Sequence, residues 1–107
     1  LIDPKADERG LCRAALVNPR LDGGLAVSLT WPKVTMPCLT QWKMLGDREY
    51  VLGIEPGNAK PMGRAAARKA GELRELAVGD EVEMGFEIDV MEGEAAIDEL
   101  VREAAGT

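Results

Sequence analysis

Residues 41–58 read QWKMLGDREYVLGIEPGN. Two runs typical of β-strands lie on either side of a Gly46-Asp47 turn, and the second run ends in a single carboxylate, Glu55. A Pro-Gly-Asn break follows Glu55, and breaks of this composition end strands. The stretch therefore predicts an antiparallel hairpin with Glu55 at the mouth of a sheet. A glutamate beside Gln, Lys and Trp is the kind of group that exchanges protons with sugar hydroxyls.

Outward from this hairpin, the chain predicts three more strands and one late helix. Apolar residues at alternate positions predict strands, and an i, i+3, i+4 spacing predicts the helix. The predicted strands are 11–18, 25–31, 38–45, 49–55 and 81–90, and the predicted helix is 94–104. A long connection, residues 56–80, separates the last two strands. Because no β-α-β alternation occurs, we predict an all-β fold, mainly antiparallel, with a C-terminal helix: a β-sandwich or part of one.

Two terminal elements carry the clearest patterns. Between 81 and 90, the even positions 82, 84, 86, 88 and 90 are apolar, while 81, 83, 87 and 89 are acidic. This alternation predicts one face against a core and one face in water. In the helix, Ile97, Leu100 and Val101 are predicted to pack against the sheet.

The register of the hairpin decides which residues accompany Glu55. If Met44 pairs with Tyr50, then Gln41 and Lys43 share a polar face with Glu55 above Gly53, and Trp42 faces the core. A two-residue loop would instead place Gln41 and Lys43 among apolar side chains, which costs several kcal/mol when a charge is buried. We therefore predict the first register. The alternative left open is that Lys43 and Glu55 are ordinary surface charges.

Composition excludes several classes of function. The chain has 107 residues, a net charge of −6 and no histidine. This charge disfavours binding to nucleic acid or to an anionic membrane. Two cysteines without a CxxC motif, Cys12 and Cys38, do not make a zinc site, and no GxGxxG or GxxxxGK[ST] motif occurs. We therefore expect no metal and no cofactor. With few cysteines, no apolar run of spanning length and no secretion signal, we predict a cytoplasmic protein.

Three segments together resemble a known family: 37–44 (PCLTQWKM), 50–56 (YVLGIEP) and 76–81 (LAVGDE). They are similar to the C-terminal part of the DUF4432 family over roughly residues 11 to 91. That family is in turn similar to the aldose 1-epimerases, the galactose mutarotases. The resemblance implies that residues 1–107 form one domain, the C-terminal fragment of a larger β "supersandwich". The lack of an initiator Met agrees with this expectation.

The resemblance also implies a function. A glutamate at the end of the corresponding strand is the catalytic base of the mutarotases, so Glu55 is the predicted catalytic residue. Gln41, Lys43, Asn58 and Arg64 are the predicted substrate-binding residues, and a sugar is the expected ligand. Mutarotases pair the base with a histidine acid, and this chain has none. We therefore expect the 107 residues alone to be inactive, and to associate with a missing N-terminal portion or to form a homo-oligomer. The alternatives are a non-catalytic carbohydrate-binding or sensing module and a purely structural β domain.

Overall fold

A computed structural model of the chain describes residues 1–106. The strands and helices of this range, in chain order, are β1 Leu11–Asn18, β2 Leu25–Pro32, β3 Cys38–Gly46, β4 Glu49–Gly57, α1 Arg64–Lys69, β5 Glu87–Glu92 and α2 Glu94–Gly106. A short 3-10 turn, Leu21–Gly23, connects β1 to β2. All strand pairs are antiparallel, which confirms the predicted mainly antiparallel β fold with a C-terminal helix.

The strands form two separate sheets. One has three strands in the order β1-β2-β5, and the other is the β3-β4 hairpin. The N-terminus extends the hairpin by a short bridge, in which the Ile2 amide donates to the Leu39 carbonyl at 2.7 Å. No helix between residues 1 and 106 is both long enough and apolar enough to cross a membrane.

One apolar cluster joins the two sheets. Its buried members are Cys12, Trp31, Met36 and Leu39, and Ile54 of β4 packs against them. Trp31 is fully buried, and its indole N–H donates to the Met36 carbonyl at 3.0 Å. Burial also raises the pKa of the Cys12 thiol. Because Leu39 and Ile54 lie near the open end of the hairpin, this cluster anchors the base of the hairpin and leaves its tip in solvent.

A second cluster covers the opposite face of β2. Ala26 packs with Ile97 and Leu100 of α2, as predicted for these two helical residues, whereas Val101 is half exposed. The helix approaches very closely at Gly24, where an added Cβ would lie 2.6 Å from the Ile97 side chain. Gly24 also has a φ of +116°, a conformation that favours glycine. Both requirements favour a glycine immediately before β2.

The predicted hairpin register is wrong. In the structure Gly46 pairs with Glu49, so Asp47 and Arg48 form a two-residue turn, and Met44 pairs with Val51 rather than with Tyr50. A cost of burying charge would select the register only if one face of the hairpin were covered. Residues 41–45 and 49–51 are all exposed, so Gln41 and Lys43 remain in water in either register and no desolvation cost selects between them.

The predicted strand over 81–90 forms only in part. Regular pairing begins at Glu87 and runs to Glu92, and residues 81–86 have no regular secondary structure. The apolar row of this segment was predicted to face a core, but it is exposed from Val82 to Val90. The alternation is real in the sequence, yet no element within residues 1–106 covers the apolar side. A period-2 pattern indicates a face suited to burial without showing what buries it.

The loop before β1 is organised by one carboxylate, and this makes it sensitive to acid. Asp7 Oδ1 accepts hydrogen bonds from the amides of Leu11 and Arg9, both at 2.9 Å. The Leu11 hydrogen bond is the main reason that the pKa of Asp7 is lowered. Because the folded pKa is lower, these bonds stabilise the loop above the ordinary carboxylate pKa of about 3.9, and the stabilisation is lost as pH falls through the folded value.

We therefore expect the Leu11 and Arg9 amide resonances to titrate together below about pH 4, with a midpoint beneath the usual aspartate value. Asp7→Asn is the matched variant, because an amide oxygen can still accept both bonds but does not ionise. In that variant the two amides should keep their positions and stop titrating. A midpoint above the usual value in the wild type would contradict the assignment.

Candidate functional site

Glu55 lies over a glycine on β4. Side chains two residues apart on a strand point to the same face, so Glu55 and Gly53 share one. A Cβ added to Gly53 would lie 2.6 Å from Glu55 Oε1. The carboxylate therefore occupies the space that a side chain at position 53 would fill. Glu55 remains exposed to solvent in this position.

A tryptophan lies directly across the hairpin from that glycine. Trp42 pairs with Gly53, and Thr40 pairs with Glu55, so all four residues lie on one face. Trp42 is 51% exposed, in contrast to the fully buried Trp31. We call this surface the hairpin face, defined by Thr40, Trp42, Gly53 and Glu55. It presents an aromatic ring, a hydroxyl and a carboxylate together, with no side chain at position 53 to separate them.

A small cavity lies at the open end of the hairpin face. Cys38 pairs with Gly57, one step along the same face from Thr40 and Glu55, and it lines a cavity of about 360 Å³. The other walls come from Asn58, Ala59 and Lys60 and from residues 71–74. Lys60 Nζ is 2.7 Å from Glu72 Oε1 across this cavity. That hydrogen bond raises the pKa of Lys60, so the ammonium stays charged and does not act as a proton donor near neutral pH.

The structure separates the predicted site residues into three groups. Gln41 and Lys43 pair with Ile54 and Leu52, so they lie on the face opposite to Glu55. Asn58 lines the small cavity. Arg64 begins α1, is exposed and does not line that cavity. Gln41 is close to Glu55 along the hairpin but faces the other way, and Asn58 lies three residues beyond Glu55 in the cavity at the open end.

Sequence reasoning missed three neighbours of Glu55: Thr40, Trp42 and Cys38. The error follows from the register, because a shift of one residue moves every side chain of a strand to the other face. The available signal was the turn itself. A two-residue loop, which is the commonest connection in hairpins, would have placed Trp42 with Glu55.

A larger cavity than the one that Asn58 lines lies elsewhere, on the three-stranded sheet. It is an open groove of about 1180 Å³ between β1, residues 85–89 and the C-terminal half of α2. At its side an ion pair joins β1 to α2, with Arg13 Nη1 2.6 Å from Glu103 Oε2. Large pockets are the default site hypothesis. We nevertheless place the candidate site on the hairpin face, because there a carboxylate and an exposed aromatic ring are presented together.

No group of three or more cysteine or carboxylate side chains within residues 1–106 is arranged to hold a metal ion. The hairpin face offers three kinds of side-chain group. Its carboxylate can accept a proton or hydrogen bonds, its hydroxyl can donate or accept, and its indole can offer an apolar surface.

Comparison with known proteins gives one family. The model of a domain of unknown function, DUF4432, matches residues 1–90. The chain belongs to the DUF4432 family. The match includes β1 to β4, α1, the whole segment before β5 and β5 itself as far as residue 90, and hence the whole hairpin face of this DUF4432 domain. No curated protein and no solved structure matches the chain.

Proposed function

We propose that this DUF4432 chain contributes to a carbohydrate site and that Glu55 is the general base of an aldose 1-epimerase-like sugar isomerase. The observation that supports the proposal is the pairing of Trp42 with Gly53, which places an exposed indole beside the Glu55 carboxylate. An aromatic ring can stack on the apolar C–H face of a sugar ring. A carboxylate beside it can accept a hydrogen bond from a sugar hydroxyl.

The reaction needs one base and one acid. Glu55 takes the proton of the anomeric hydroxyl, the O–H electron pair forms the C1=O double bond, and the bond from C1 to the ring oxygen breaks. The ring oxygen receives a proton as it leaves. Rotation about the bond next to C1, followed by the reverse steps on the other face, gives the other anomer. A positioned base typically contributes about 10²- to 10⁴-fold to such a rate.

We propose that the acid comes from outside this chain. There is no histidine among its 107 residues. Lysine and arginine are poor acids at neutral pH, because their ordinary pKa values are about 10 or higher. We propose that the acid belongs to an N-terminal portion of a larger DUF4432 protein, whose strands complete a galactose mutarotase-like supersandwich around the hairpin face.

A second candidate is a carbohydrate-binding or sensing module that does not turn its ligand over. The exposure of both Trp42 and Glu55 favours this alternative. An open aromatic surface with one carboxylate is sufficient to hold a sugar reversibly, whereas proton transfer is most effective in a site that excludes water. The two candidates make the same prediction for binding and opposite predictions for turnover.

Sugar binding can be tested on the chain itself through its two indole N–H resonances. We expect galactose or glucose to shift the Trp42 resonance in a saturable manner and to leave that of Trp31 unchanged, because the Trp31 indole is buried and bonded to Met36. Trp31 is thus an internal control for a general effect of sugar on the solution. In Trp42→Ala, the same sugars should no longer shift the Glu55 amide resonance.

The control variant for this titration is Lys43→Gln, which changes a charge on the opposite face of the same hairpin and should leave the affinity unchanged. Equal shifts of both indoles, or no saturable shift with either sugar in the chain and in the longer DUF4432 protein, would exclude the hairpin face as a sugar site. Binding without turnover in the longer protein would select the second candidate.

A further inference from the structure

An apolar strip on the three-stranded sheet has no cover within residues 1–106. Leu16 of β1 pairs with Val27 of β2, and Val27 pairs with Val90 of β5, so the three side chains form a continuous row. Leu16 and Val90 are exposed and Val27 is partly buried. Ile88 lies beside this row on β5 and is 62% exposed. The cluster around Trp31 covers only the other end of this face.

The same strip ends at an open strand edge. β5 is the outer strand of the sheet and pairs only with β2 among residues 1–106. Its other edge therefore presents amides and carbonyls with no strand partner in this range. Residues 81–86 lead into that edge without regular structure, and they carry three more exposed apolar side chains: Val82, Met84 and Phe86. An apolar open edge of this kind is a template for pairing with another strand.

The charge of the edge decides what can pair with it. Between its apolar positions the segment carries four exposed acids, namely Glu81, Glu83, Glu87 and Asp89. In an antiparallel pairing of two copies, any register that sets apolar against apolar also sets acid against acid, because both sets have the same period of two. Like charges directly opposite each other destabilise a pair of strands. A register shifted by one residue would set acids against apolar groups instead.

We propose that residues 81–90, here called the acidic edge, bind an extended strand of a partner protein in which apolar residues alternate with lysine or arginine. The apolar side chains of the partner extend the strip from Val90 and Ile88. Its basic side chains lie opposite Glu87 and Asp89. Backbone hydrogen bonds to β5 supply affinity, and the alternating side chains supply specificity, as in other cases of strand addition.

Two synthetic peptides of about seven residues, a usual strand length, test the proposal. One alternates valine with lysine, and the other alternates valine with glutamate. At about 150 mM salt, where charges more than about 8 Å apart are screened, we expect the lysine peptide to bind at least about tenfold more tightly. Binding is measured by fluorescence anisotropy, and the β5 amides are followed by NMR to locate it.

Matched variants separate strand addition from general attraction to an acidic protein. The double variant Glu87→Lys with Asp89→Lys should reverse the preference between the two peptides. The control double variant, Asp47→Lys with Glu49→Lys, changes the net charge by the same amount but at the tip of the hairpin. It should keep the preference for the lysine peptide. A lysine peptide that is N-methylated at alternate backbone amides, and so unable to complete the ladder, should lose binding.

Several results would overturn the proposal. Equal affinity for the two peptides, retention of binding by the N-methylated peptide, or no binding at all would each exclude a basic strand as the occupant. A concentration-dependent dimer that broadens the β5 amides at neutral pH would instead identify a second copy of this chain as the occupant. None of these results depends on whether the hairpin face binds sugar.

Discussion

Under the proposed function, Glu55→Gln is expected to slow mutarotation by about 10²- to 10⁴-fold in the larger DUF4432 protein proposed above, the range typical of a lost general base. The substitution keeps the shape of the side chain and its ability to accept a hydrogen bond, and removes only the group that takes the proton. The thermal midpoint should stay nearly unchanged, because Glu55 is exposed and contributes nothing to either apolar cluster. Polarimetry on freshly dissolved α-galactose and α-glucose measures the effect.

Two variants on the same hairpin sharpen this experiment. Gly53→Ala adds a methyl group where the Glu55 carboxylate now lies, so the base is present but displaced, and we expect a rate between those of the wild type and Glu55→Gln. Gln41→Ala, on the opposite face, should have no effect on the rate. The 107-residue chain alone should not accelerate mutarotation. A Glu55→Gln rate within about threefold of the wild type, far from the loss of a general base, would remove Glu55 from the reaction.

Trp31→Ala is expected to lower the free energy of unfolding by about 3–5 kcal/mol, the usual cost of truncating a buried aromatic residue. Trp31 is 0% exposed, and it packs with residues from β1, β3 and the loop between β2 and β3. The substitution therefore opens a cavity at the junction of the two sheets. It also leaves the buried Met36 carbonyl without the indole N–H that now donates to it. Urea denaturation measures the change.

The second tryptophan provides the matched control for stability. Trp42→Ala removes the same side chain from an exposed position, and surface substitutions of this kind usually change stability by no more than about 0.5 kcal/mol. Trp31→Phe keeps an aromatic ring but removes the indole N–H. Its loss of unfolding free energy should therefore lie between those of Trp31→Ala and Trp42→Ala. If Trp31→Ala and Trp42→Ala destabilised the chain equally, the cluster that includes Trp31 would not be what joins the hairpin to the sheet.

The secondary structure was largely predictable because local patterns determine it. Turn residues after Asn18 and before Leu25 delimit β1 and β2, and the spacing of Ile97 and Leu100 indicates which side of α2 is buried. These signals depend on neighbours in sequence. The exception is the region 81–86, where the alternation continues but the strand does not, since a strand forms only where another strand pairs with it.

The composition of the candidate site was less predictable, because it depends on a single register. Glu55 was predicted to end its strand, but β4 continues through Pro56 to Gly57, so the Pro-Gly pair does not break the strand where the sequence suggested. Gln41 and Lys43 were assigned to the site by an argument from buried charge, and the solvent around the hairpin tip removes that argument. Trp42 was assigned to the core by the same reasoning and is exposed. Both faces of the hairpin tip are exposed, so burial does not select the register there, and the preference for a two-residue turn was the better guide.

The β3-β4 hairpin is attached to the rest of the chain at one end only. Leu39 and Ile54 pack into the apolar cluster at its base, and the residues of its tip are exposed to solvent. Trp42 and Glu55 belong to the same pair of hydrogen-bonded strands, so a change in the orientation of the whole hairpin would move both side chains together and preserve the distance between them. Such a change would alter only the distance between this pair and the three-stranded sheet. The geometry of the Trp42–Glu55 pair is thus set within the hairpin and does not depend on the packing at its base.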